Sequence, residues 1–438
     1  MSDSLSDWLP PLPPGWVVKP FFSVMRERRN PNFNLSVTKV LSLSYGRVID
    51  RDIENNYGLL PASFDSYNIV EPNDIVMRLT DMQNDQRSLR TGPVDTQGII
   101  TSAYTTVTPA EVILPRFAHY LLHGYDLAKV FYRMGGGLRQ SMKYDDLRRL
   151  PLVVPPKADQ ERISNFLDDK TARIDALVAE KEQLLLALEE WRAAELTRIC
   201  FGQATTTEVT GNRWIPALPQ GWRLMRLKHL VSGIEQGWSP ECEARLAEED
   251  EWAVLKAGAA NGGTFRESEH KALPAHLEPI TDLEVKPGDV LATRASGSAD
   301  YVGSVAFVYS TRPKLMLSDK NFRFKFDKAP PLLPELLAWM CNTQPLREQI
   351  LQFVGGAEGL AKNIGSGNLR EIWLAVPPMR EQPRIIVLLQ ERREQLEKLR
   401  HHLDAHIERL REYRSSLISS AVTGQLDLPM SPELRKAA

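Results

Sequence analysis

From Lys157 to Cys200 the chain carries no glycine or proline. Its apolar residues fall at alternating four- and three-residue steps: Ile163, Leu167, Ile174, Leu177, Leu184, Leu188 and Trp191, with Lys170 and Lys181 filling the stripe. A second stretch carries Ile385, Leu389, Leu396, Leu399, Leu403, Leu410, Tyr413 and Leu417, interrupted by Arg392 and His406. An alternation sustained this long predicts two helices that pair along an apolar seam as a coiled coil, not helices lying on a sheet. Pro155-Pro156 and Pro377-Pro378 precede the two stretches, and proline's inability to continue a helix marks where each begins. At about 1.5 Å per residue, each is a rod of roughly 60 Å.

The two stretches are copies of one another. Gly137-Leu138 matches Gly359-Leu360, Leu147-Arg148 matches Leu369-Arg370, Gln160 matches Gln382 and Gly202-Gln203 matches Gly424-Gln425, all 222 residues apart. Leu12-Pro-Pro-Gly-Trp16 returns as Leu218-Pro-Gln-Gly-Trp222 at an offset of 206, so length differences accumulate only in the front of each half. Within the helices an indel of one residue would swing later side chains about 100° off the seam, which explains the unbroken register. Residues 157–200 hold seven basic and ten acidic side chains, against nine and seven in 379–422, and this opposition favours pairing of the two with each other. An antiparallel pair suits the chain path. The tail after Gly424 is expected near Leu12-Pro-Pro-Gly-Trp16, giving a pseudo-two-fold molecule.

The front segments mix short strand-like runs (Val37–Leu43, Ile69–Met77, Gly98–Val107, Val290–Thr293, Ser304–Val308) with helical stretches at Phe117–Met134 and Glu335–Phe353. They read as two α+β heads. Length and composition agree: 438 residues with 42% apolar and 25% charged residues exceed one ordinary core and exclude wholesale disorder. No run is long and apolar enough for a membrane helix. Cys200, Cys242 and Cys341 lie far apart, which excludes a disulfide scaffold and fits a reducing, cytoplasmic setting.

Candidate chemistry is sparse. Asn30-Pro31-Asn32-Phe33 lacks the second proline of an adenine-methyltransferase loop and reads as a turn. Asp282, Glu284 and Lys286 make an incomplete nuclease set, and Gly135-Gly-Gly-Leu-Arg-Gln140 lacks the Lys-Ser/Thr of a phosphate loop. His402 and His406 share a helix face without further ligands, so His406 is expected to pack in the seam. No catalytic or metal-binding set emerges. Two related heads on a rigid spacer instead suit two half-sites on a DNA duplex. Residues able to reach phosphates or base edges are Arg26, Arg28, Arg29, Arg87, Arg90, Arg139 and Gln140 in the first head, and Lys256, Arg294, Lys320, Asn321, Lys362 and Asn363 in the second. Both heads are close to neutral, so partner subunits are expected to supply much of the phosphate grip. The main rival is a scaffold that displays two protein-binding heads and never touches DNA.

These residues resemble the specificity subunit of type I restriction–modification systems. The resemblance rests on Leu410-Arg-Glu-Tyr-Arg-Ser-Ser-Leu-Ile-Ser-Ser-Ala-Val-Thr-Gly-Gln-Leu-Asp427, on Pro155-Pro156-x-x-x-Gln160-x-Arg162-Ile163, on the Leu-Pro-x-Gly-Trp openings, and on Gly98-Ile-Ile-Thr-Ser-Ala-Tyr104 and Lys143-Tyr-Asp-Asp-Leu147. It implies target recognition domains at 1–154 and 203–376, conserved spacer helices at 155–202 and 377–425, and a tail at 426–438. It also implies a non-catalytic subunit whose domains each read half of a split double-stranded target. Two methyltransferase subunits using S-adenosylmethionine would dock on the helices, and restriction subunits using ATP and Mg would join them. The chain itself would hold no cofactor or metal.

Overall fold

Both gap-free stretches are single helices in a computed structural model that describes residues 9–51, 63–82, 89–134, 141–202, 207–356 and 361–428. Four helices organise the fold: α1 (Pro115–Leu127), α2 (Lys157–Phe201), α3 (Pro334–Cys341) and α4 (Gln382–Val422). The fold is α+β. The chain divides into two compact units, Met1–Glu182 with Asp404–Ala438, and Gln183–Leu403, so each unit holds one head and part of each long helix. No helix among the described residues is long and apolar enough to cross a membrane.

In the first unit the strands Met25–Glu27, Thr105–Pro109, Ile75–Met77 and Thr91–Pro93 lie side by side in one antiparallel sheet. Val17–Pro20 pairs with Pro151–Val154, just ahead of α2. Phe21, Met25, Met77, Phe117, Leu121 and Phe131 share one core with Ile163 and Leu167 of α2 and with Leu417, Ile418 and Val422 of α4. At about 25 cal/mol per Å² of apolar surface removed from water, each such side chain contributes roughly 1.5–3 kcal/mol. The expected strand Ile69–Met77 is two strands, Asn68–Val70 and Ile75–Met77, broken where Pro72 starts a turn and Asn73 takes a left-handed φ of 73°.

The second unit repeats the plan with different detail. Its main sheet runs Gly233–Gln236, Asn321–Lys325, Val290–Thr293, Val305–Phe307, and Arg223–Arg226 pairs with Trp373–Val376 ahead of α4. The expected helix Glu335–Phe353 is broken after α3, at Asn342–Thr343, before Gln344–Leu351 resumes. The Asn342 amide there donates to the Ala338 and Val305 carbonyls.

Within each unit α2 and α4 run antiparallel. Asp175 meets Arg414 at 2.8 Å and Glu182 meets Arg411 at 2.8 Å in the first; Glu189 meets Arg400 at 3.3 Å and Glu195 meets Arg392 at 3.3 Å in the second. The acid stands on α2 and the arginine on α4 each time, in keeping with the opposed charges of the two helices.

The seam itself needs correction. Ile163, Leu167, Ile174, Leu389, Leu396 and Leu417 are buried, and Leu188, Ile385, Leu403 and Leu410 partly so. Leu177, Leu184, Trp191, Leu399 and Tyr413 are not in the seam: they are 46–57% exposed. The inward stripe takes the next residue instead at Val178 and Leu185 on α2 and at Ile407 and Arg414 on α4, each more enclosed than the residue before it. Ile407, not His406, is buried, and His406 is exposed. Lys170 likewise yields to the buried Thr171. The cause is local ambiguity: Leu177-Val178 and Leu184-Leu185 are adjacent apolar pairs, and a straight helix of 3.6 residues per turn drifts from a strict 3.5 repeat.

Candidate nucleic-acid interface

Each head is fastened to its helix by one buried glutamine. In the first unit the Gln160 amide oxygen accepts the Leu114 N–H at 2.7 Å, while its Nε2 donates to the Val112 carbonyl at 3.1 Å and the Pro155 carbonyl at 2.8 Å. In the second, Gln382 accepts from Leu333 at 2.8 Å and donates to Pro331 and Pro377, both at 2.9 Å. Leu114 and Leu333 immediately precede α1 and α3, so the glutamine caps a head helix while standing in the first turn of a long one. An uncharged amide is the side chain that both accepts and donates without burying charge. One residue earlier in each copy, Asp159 accepts from the Trp16 indole at 3.1 Å and Glu381 from Trp222 at 3.0 Å.

The polar face of the first head centres on the edge strand Met25–Glu27. Arg26 is exposed there. Arg29 is exposed beside Glu27 at 2.9 Å, whose carboxylate raises the guanidinium pKa further above its ordinary value. Arg28 turns inward, at 2.5 Å from the buried Asp74, and so is committed to the fold. Arg90 is a correction. It is completely buried, with its guanidinium donating to Tyr132 Oη at 2.7 Å and to the carbonyls of Arg78, Thr80 and Asp81. It ties down residues 78–81 after the strand Ile75–Met77 and reaches no surface. Arg87, Arg139 and Gln140 lie outside the described residues.

In the second head, candidates distant in sequence meet. Ala295–Ser296 pairs with Lys362–Asn363, the Arg294 N–H donates to the Lys320 carbonyl at 2.8 Å, and the Ile364 N–H donates to the Arg294 carbonyl at 3.0 Å. Arg294, Lys320, Lys362 and the exposed Asn363 therefore share one end of the main sheet. The Arg294 guanidinium is steadied by the Asp319 carbonyl at 3.2 Å and the Phe322 ring, and Lys362 Nζ by the Gly356 carbonyl at 2.8 Å. Gln236 and Ser239, which bind Asp319 from a third segment, belong to the same face and carried no motif to betray them. Asn321 is a correction: it is fully buried, its amide oxygen accepting the Ser318 hydroxyl at 2.7 Å. Lys256 stands apart, half-buried before the Ala257–Gly263 turn.

Beside this face a cleft of about 860 Å³ opens within the second unit. Of the five arginines that line it, Arg192 and Arg400 meet Glu189, Arg392 meets Glu195 and Arg393 meets Glu397, while Arg266 donates to the Asn261 carbonyl. Among the described residues no group of three or more His, Cys, Asp or Glu side chains is placed to hold a metal.

Comparison with known proteins gives these faces a context. No family model matches the chain. The specificity subunit of type I restriction enzyme EcoEI from Escherichia coli is 33% identical over 175 residues, 40% of this chain and 29% of that protein. The EcoKI specificity subunit of Escherichia coli strain K12 is 21% identical over 323 residues, 73% of this chain and 67% of that one. This chain is similar in sequence to type I restriction specificity subunits. The fold of such subunits is shared along nearly the whole chain: the HsdS subunit from Thermoanaerobacter tengcongensis superposes with a TM-score of 0.51 at 16% identity, covering 96% of this chain and all of that one. A chain solved in work on assembly and conformational transition of the type I R-M system gives 0.68 at 16%, over 95% of this chain and all of that one. Sequence matching is less extensive: the chain spans under a third of the EcoEI specificity subunit and two thirds of the EcoKI one.

Proposed function

We propose that this chain is the DNA-specificity subunit of a type I restriction–modification complex in the cytoplasm, with each head reading one half of a bipartite double-stranded target. The observation that carries this is the duplicated glutamine clamp: Gln160 and Gln382 hold two heads in the same way although the polar faces of those heads differ. Identical mounting with divergent faces is what reading two different half-sites requires. The helices would set the interval between half-sites and dock two methyltransferase subunits. Exposed apolar side chains support docking, Leu177 and Tyr413 in the first unit and Leu184, Leu186, Trp191 and Leu399 in the second, since large apolar groups outside a core mark contact surfaces.

The chain would catalyse nothing. S-adenosylmethionine would serve the methyltransferase subunits, and ATP with Mg the restriction subunits that join them. Mapping methylated adenines in the host genome, with this gene intact and deleted, tests the proposal. A split motif that vanishes on deletion is expected. Methylation indifferent to the deletion, or an assembled complex with no sequence preference, would leave the protein-binding scaffold as the better reading.

A further inference from the structure

The segment Asn30–Val37 follows the edge strand Met25–Glu27 of the first head and is built to hold its shape. Asn32 is buried, 1% exposed, and its side chain closes the loop by donating to the Val37 carbonyl at 2.8 Å and accepting the Val37 N–H at 3.2 Å. The Asn32 N–H donates to Tyr67 at 2.9 Å, the Ile69 N–H donates to Asn30 at 2.7 Å, and Leu35 closes back on Asn32 at 2.9 Å. Leu35 adopts φ +50°, a left-handed conformation that leucine rarely takes.

Against this tight anchoring, the side chains between the anchors point outward. Phe33 is 75% exposed and Leu35 52%. A loop that orders its backbone while leaving its two largest apolar groups in water presents them already fixed, which lowers the ordering entropy an external contact would cost. On the preceding segment Arg26 is exposed and Arg29, paired with Glu27, is 69% exposed. Cations flanking a rigid apolar tip fit a polyanion that offers apolar surface between its charges, which describes the base edges of a duplex between its phosphates.

We propose that Phe33, with Leu35 beside it, is the apolar reading element of the first head, seated against the bases of duplex DNA while Arg26 and Arg29 lie on flanking phosphates. This rests on the DNA-reading function proposed above. Arg29 leaves Glu27 for a phosphate at little cost, since solvent screens an exposed ion pair.

The test uses the full chain with its partner subunits in the host. Methylated adenines are mapped for the natural chain and for Phe33→Ser, Phe33→Leu and Leu35→Ser. The co-purified complex is then titrated with the duplex so identified, its subunit composition checked by size exclusion. Phe33→Ser is expected to relax one half of the motif and weaken binding roughly ten-fold, with Phe33→Leu close to the natural chain and the other half unchanged. An unaltered motif and affinity in Phe33→Ser overturns the inference. So does loss of a subunit with DNA affinity retained, which assigns the tip to a protein contact. If the natural chain itself gives no motif, the function proposed above fails first.

Discussion

Gly424 packs so closely on Pro13 that a methyl group added to its α-carbon would stand 2.5 Å from the proline Cδ. Its φ of +76° is also one that glycine adopts freely and other residues rarely do. In the other unit Gly202, with the same φ, stands against Pro219, where an added Cβ would meet Cγ at 2.7 Å. The end of each long helix is thus sealed against a Leu-Pro-x-Gly-Trp opening, Trp16 in one unit and Trp222 in the other.

Gly424→Ala should therefore destabilise the first unit by about 1–3 kcal/mol through strain and contact together. Hydrogen exchange at residues 17–20 is the readout, because a two-unit chain has no single unfolding free energy. Protection equal to that of the natural chain would refute the packing argument.

Gln160→Leu removes one acceptor and two donated bonds at once and leaves the Leu114 N–H and two carbonyls facing a dry site. Each orphaned group costs about 1–3 kcal/mol, so a loss of several kcal/mol confined to the first unit is expected. Gln382→Leu should do the same to the second unit only. Denaturant unfolding followed by exchange in each unit separates the two, and a variant that weakens both units equally would contradict this division.

How far these devices are legible in the sequence varies with how each residue is used. The duplicated Pro-Pro-x-x-x-Gln and Leu-Pro-x-Gly-Trp elements announce the repeat, because backbone-anchoring residues tolerate little change. Val290–Thr293 forms as expected, its four residues all buried. Leu177 misleads because Val178 beside it is equally apolar, and only the partner helix decides which faces inward. Arg90 and Asn321 mislead because polar residues are usually at the surface; nothing local announces a guanidinium enclosed by carbonyls. Phe33 sits inside a motif that reads as a plain turn, and its exposure shows only once the loop is folded.

Arg90 and the second-head cations should separate cleanly. Arg90→Ala is expected to destabilise the first unit by about 3 kcal/mol or more, by leaving buried carbonyls unpaired, rather than to alter a DNA contact. Lys320→Ala should instead leave stability unchanged and weaken DNA binding across sequences, lowering the salt dependence by close to one counterion. Arg294→Ala should relax one base position in the second half-site. A stable Arg90→Ala protein with an altered motif would return Arg90 to the DNA-contacting set.

Acid should loosen the first unit. His123 is buried, and desolvation first, then the charges of His119 and Arg414, lower its pKa to about 3 from an ordinary 6.5. The folded state thus binds this proton less readily than the unfolded chain does. The contribution is fully present above about pH 6.5 and is lost progressively as pH falls toward 3, amounting to roughly 2–3 kcal/mol by pH 4.5. Hydrogen exchange along α1 at pH 7 and 4.5 should show the loss, and His123→Phe should reduce it, the remainder belonging to His119, whose pKa burial lowers to about 4. A profile unchanged by that substitution would locate the acid sensitivity elsewhere.

The partners of Gln160 and Gln382 are all main-chain atoms, and every polypeptide possesses those. A module with wholly unrelated side chains can therefore seat on the same socket, provided it presents one oxygen and one amide hydrogen at the same spots. Such a joint imposes almost no selection on the side chains of the head it carries, so two heads with unrelated faces can share one mounting.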